Sequence, residues 1–97
     1  MTDYIFLMHN DAESAETDAA WEQYLHKLRA SGQFEGGSAI GSGECFVRQG
    51  QPVGVTAHLS GYILVRAESL SAARMLLDGN PVFEAGGTVE IRELPRQ

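Results

Sequence analysis

Tyr4-Ile5-Phe6-Leu7-Met8 is apolar at every position, so both alternating faces of an extended chain would carry large hydrophobic side chains. A strand buried on both sides reads this way, and so does a buried helical turn; shortness and aromatic content favour the strand. His9, Asn10 and Asp11 break the run. Beyond them Trp21, Tyr24, Leu25 and Leu28 recur at i, i+3, i+4 and i+7, which predicts a helix over roughly 15–31. Ser14 or Thr17 can cap its start, Lys27 and Arg29 suit its last turn, and Gly32 is placed to end it. From Phe34 to Gly54 glycines punctuate the chain, while Glu44-Cys45-Phe46-Val47-Arg48 reads as a strand. Gln49-Gly50-Gln51-Pro52 supplies turn chemistry, so a hairpin or bent ribbon running on to Thr56 is expected. Gly61 to Arg66 is a second doubly apolar strand. A helix starting at Ser69 or Ser71 presents Leu70, Ala73, Leu76 and Leu77, and Gly79-Asn80-Pro81 stops it. Thr88 to Leu94 then alternates like an edge strand, with Val89 and Ile91 on one face and Thr88, Glu90 and Arg92 on the other.

Strand, helix, strand or hairpin, strand, helix, strand is the order of a ferredoxin-like α+β sheet with both helices on one face. In that topology the first and third strands are central, and those are the two with doubly apolar patterns. Two helices cover only one face of such a sheet. Either Tyr4, Phe6 and Met8 or Ile5 and Leu7 would stay in water unless another subunit covers them, so a homodimer is expected.

Composition narrows the class. The 97 residues form one domain, 1–97, with no room for a second. The net charge of −6 argues against nucleic acid, which calls for clustered Lys and Arg. No apolar run approaches the ~20 residues that cross a bilayer, and the opening residues lack a basic, apolar signal pattern. A single cysteine, Cys45, excludes an internal disulfide and fits a reducing cytoplasm.

Several stretches together resemble the YCII-related (YciI-like) family, including its DGPF subgroup. They are Tyr4-Ile5-Phe6-Leu7-Met8-His9, Trp21-Glu22-Gln23-Tyr24-Leu25 leading to Leu28, Gly32, Phe34 and Gly36-Gly37, and Gly61-Tyr62-Ile63-Leu64-Val65. Ser69-Leu70, Ala72-Ala73, Asn80-Pro81 and Gly86-Gly87-Thr88-Val89-Glu90-Ile91-Arg92 complete the set, so the likeness spans nearly the whole chain. The resemblance implies a dimeric ferredoxin-like α+β barrel, usually bacterial. It also implies a site in which a His on the first helix faces an Asp before the proline after the second helix. Tyr24 stands at the His position and Asn80 at the Asp position. A phenol titrating near 10 and an amide that does not titrate can hydrogen-bond a ligand, but they cannot exchange protons as a His–Asp pair does. The DGPF signature is replaced by Val55-Thr56-Ala57-His58-Leu59.

The remaining chemistry is sparse. His9 follows a central strand and His58 precedes another, so the two could meet and supply an acid and a base; solvated strand ends are the ordinary reading. His26 lies off the apolar face near Glu22, and the three histidines lack the spacing that gathers metal ligands on one helix face, so no metal or other cofactor is expected. Cys45 reads as a buried or edge residue, since a nucleophile needs a lowered pKa. Gly36 to Gly43 lacks the Lys and Ser or Thr of a phosphate-binding loop. Glu84, expected in a loop, is a further polar candidate. The leading expectation is a small organic ligand held between sheet and helices, with His9, Tyr24, His58, Asn80 and Glu84 as candidate contacts. The alternatives are a cofactor-free lyase, isomerase or monooxygenase using His9 and His58, or a structural interaction module.

Overall fold

The computed structural model describes residues 1–96 and resolves the chain into β1 (Thr2–His9), α1 (Asp18–Ala30), β2 (Phe34–Ala39), β3 (Leu59–Ala67), α2 (Leu70–Met75), α3 (Pro81–Glu84) and β4 (Val89–Leu94). The four strands form one antiparallel sheet in the order β2-β3-β1-β4, the ferredoxin-like α+β arrangement with the doubly apolar strands central.

The register of β1 against β3 explains the core. Tyr4 pairs with Val65, Phe6 with Ile63 and Met8 with Gly61, and these residues are buried on the face that carries the helices. Tyr24 and Leu28 of α1, Ala73 of α2 and Val82 of α3 close over them. Ile5, Leu7, Tyr62 and Leu64 point the other way and are only partly covered. With one helical layer on one side, the molecule measures 46 × 37 × 18 Å.

The caps follow the local chemistry. Thr17, rather than Ser14, caps α1 by accepting a bond from the Ala20 amide at 3.1 Å. The helix ends at Gly32, whose φ of +76° is open to glycine at no steric cost. Ser69 caps α2 by accepting from the Ala72 amide. α2 ends earlier than expected, at Met75, so Leu76 and Leu77 lie in the turn beyond it; Asn80-Pro81 then starts α3, so Glu84 lies in a short helix and not in a loop.

The expected ribbon also fails. Glu44 to Arg48 forms no strand, and residues 40–58 contain no regular sheet pairing. The two limbs do return towards each other, with Cys45 Sγ 4.0 Å from the Val53 carbonyl oxygen. Phe46 and Val53 are 88% and 78% exposed, however, so the ribbon has no apolar layer to pack on. A two-stranded ribbon without such a layer is marginal in water. Cys45 is accordingly exposed rather than buried.

This division of labour gives a paired expectation. Phe6→Ala should cost about 3–5 kcal/mol of unfolding free energy. Phe46→Ala should change stability by no more than about 0.5 kcal/mol. Urea unfolding followed by circular dichroism reads both, and equal costs would contradict this placement of the core.

Candidate functional site

A cavity of about 400 Å³ opens between α1 and the β2–β3 side of the sheet. It exists because the strands offer so little there. Gly37 pairs with Ile63 and Ala39 with Gly61, leaving the helix-facing side of this corner almost without side chains. A Cβ on Gly61 would sit 3.2 Å from Met8 Cε, so even a methyl group would press on the cavity lining. Trp21, Leu25 and Arg29 descend α1 at intervals of four and form one wall, with Phe34 opposite the last of them. The Arg29 guanidinium lies 5.5 Å from the Phe34 ring centre, and Trp21 Nε1 donates to Glu16 Oε1 at 2.9 Å. The neighbouring row on the same helix, Tyr24 and Leu28, goes into the core instead.

The expected site residues divide into two groups on opposite faces of the sheet. Tyr24 and Asn80 are brought together on the helical side, both buried and both outside the cavity lining. The Tyr24 hydroxyl donates to the Leu76 carbonyl at 2.8 Å. Burial pushes its phenol above the ordinary value, an effect partly offset by the Asn80 side chain facing it. Asn80 Oδ1 accepts from the Val82 and Phe83 amides at 3.0 and 3.1 Å, capping α3, while its Nδ2 is buried without a partner within bonding distance. Glu84 lies at the same end, its Oε1 accepting from the Gly79 amide at 3.2 Å.

His9 and His58 meet at the other group, their rings edge to face with centres 4.6 Å apart. His9 Nε2 is 3.2 Å from Glu90 Oε1, and Arg92 Nη1 donates to the other oxygen of Glu90 at 3.1 Å. Arg92 first and His9 second hold the Glu90 carboxyl below its ordinary range. Glu90 pairs with Leu7 across the strands, which puts this cluster at one end of the uncovered face. His26 is exposed on α1. Among the described residues, no group of three or more His, Cys, Asp or Glu side chains could hold a metal ion.

The sequence pattern puts Trp21 on one apolar helix face with Tyr24 and does not single out Arg29 and Phe34 as lining. The available signal was the i, i+4, i+8 row of Trp21, Leu25 and Arg29 facing a stretch of small residues.

Fold and cavity together define a small ferredoxin-like α+β domain with an apolar, side-opening pocket. The chain belongs to the YCII-related domain family, whose sequence pattern matches residues 3–96. A structural likeness extends over 98% of this chain and 95% of 5-chloro-2-hydroxyhydroquinone dehydrochlorinase (TftG) from Burkholderia phenoliruptrix AC1100, a structure in complex with 2,5-dihydroxybenzoquinone. The TM-score is 0.57 at 13% identity, a likeness of fold. No curated protein matches the sequence.

The buried phenol sets an expectation for Tyr24→Phe. Losing the bond to Leu76 should cost about 1 kcal/mol at neutral pH. Above the ordinary tyrosine pKa of about 10 the unfolded chain releases a proton that the folded protein retains, so wild-type stability falls as pH rises. The variant should show a shallower alkaline decline in unfolding free energy; an unchanged slope would remove Tyr24 as its source.

Proposed function

We propose that this protein binds a small organic molecule in the cavity between α1 and the β2–β3 corner. The supporting observation is the cavity itself: about 400 Å³, walled by Trp21, Leu25, Phe34 and Ile63 with a few polar groups at its margin. Small-molecule sites commonly combine an apolar body with sparse polar groups in this way. A protein of the same fold captured with a quinone is consistent with a ligand of that size. Tyr24 and Asn80 then act behind the pocket, holding the end of α2 and the start of α3 in place.

In this reading the functional unit is a homodimer whose partner covers Ile5, Leu7, Tyr62 and Leu64. The charges around that face already have partners. Arg66 Nε lies 3.1 Å from Asp3 Oδ1 at one end, and Glu90 is held by His9 and Arg92 at the other. Covering the face would therefore strand no lone charge, which is the usual obstacle to burying a polar rim. The second reading, an enzyme, draws on the contact between His9, His58 and Glu90, where a carboxylate orients one imidazole beside another as a general acid–base group would require.

A metabolite panel screened by thermal shift tests the pocket, since a ligand specific for the folded state raises the melting temperature. Hits should vanish in Ala39→Phe, which fills the cavity mouth, and persist in His9→Asn. The opposite pattern would favour the histidine cluster. Light scattering should give twice the 10.5 kDa chain mass, falling to one chain in Leu7→Glu. A monomeric wild type would remove the dimer from the proposal.

A further inference from the structure

Resting on the reading of this cavity as a ligand pocket, we propose that its ligand is a carboxylic acid with a flat apolar body, anchored through its carboxylate by Arg29. Four of the seven cationic side chains have a carboxylate within ion-pair distance: Lys27, Arg66, Arg92 and Arg96. Among the described residues Arg29, Arg48 and Arg74 have none, and of these three only Arg29 lines the cavity. The negative end of the α1 dipole accounts for a cation in its last turn. It does not account for a guanidinium laid beside Phe34 at a cavity wall.

The contact with Phe34 matters because it places the guanidinium at the ring without using its N–H donors, and a carboxylate takes two parallel bonds from such a fork. The cavity is also polarised along its length. Glu16 lines it just before the start of α1 and is engaged by Trp21 Nε1, whereas Arg29 stands at the far end of the same helix. An acid would enter with its charge towards Arg29 and its apolar body against Trp21, Leu25 and Phe34. With a net charge of −6 the chain as a whole repels anions, so the selectivity must come from this local cation.

The chain has one tryptophan, so its indole N–H gives a single resonance that reports on this wall. Titrating 15N-labelled protein with 2-naphthoate and with neutral 2-naphthamide separates charge from shape. The expected result is a saturable shift of the Trp21 indole signal by 2-naphthoate at least about tenfold tighter than by the amide. Arg29→Gln should erase that advantage, bringing acid and amide to equal affinity, and Arg29→Lys should restore part of it. Equal affinity of acid and amide for the wild type, or an advantage that survives Arg29→Gln, would overturn the carboxylate anchor and leave the pocket standing. No shift of the indole signal by either probe would overturn the pocket for flat arenes and the anchor with it.

Discussion

The antiparallel register between β1 and β3 fixes almost everything else in this molecule. Because side chains alternate with a period of two, that register sends Tyr4, Phe6, Met8, Ile63 and Val65 to one face and Ile5, Leu7, Tyr62 and Leu64 to the other. A slip of one residue would exchange the two sets for one strand and open the core. The helices can satisfy only one of the two apolar faces. The same constraint thus produces a tightly buried core on one side and a partly covered apolar surface on the other.

The pocket is a by-product of the same sheet at its β2 side. Met8, Ile63 and Phe34 line the gap between α1 and the sheet, while Gly37 and Gly61 put no side chain into it and Ala39 only a methyl group. Glycines in a strand interior weaken it. The cost is tolerable here because β2 is an edge strand, where lost packing is confined to one flank. α1 then serves two purposes with adjacent rows: Tyr24 and Leu28 knit the core, and Trp21, Leu25 and Arg29 form a wall.

Most of the fold was legible in the residues because its signals are local. The doubly apolar runs mark central strands, the alternation of Val89 to Leu94 marks an edge, and caps such as Thr17 and Ser69 mark helix starts. The ribbon over 44–56 was misread because the apolar run Cys45-Phe46-Val47 and its turn residues say only that the segment could pair, not that anything lies beneath it. The wall residue Arg29 was missed for a related reason. A basic residue in the last turn of a helix is fully explained by the dipole, so its role at a cavity emerges only once Phe34 and the small residues of β2 are placed opposite. His9 and His58 were readable as neighbours, since each flanks a central strand, but Glu90 as their partner depended on the register of β4.

Tyr24 and Asn80, which the family resemblance sets at the positions of a His and an Asp, have their side-chain oxygens committed to helix ends, while Asn80 Nδ2 stays buried without a partner. The phenol donates to the Leu76 carbonyl, the end of α2, and the amide oxygen receives both free N–H groups at the start of α3. Each bond satisfies a helix terminus that would otherwise be buried unpaired. A His at position 24 could not keep a donor on Leu76 in every protonation state and also serve as a base at that nitrogen. An Asp at position 80 could keep the cap but would bring a charge into a site with no exposed surface. Tyr and Asn thus keep both helix ends bonded through neutral groups, with the Glu84 carboxylate accepting from the Gly79 amide at the same turn.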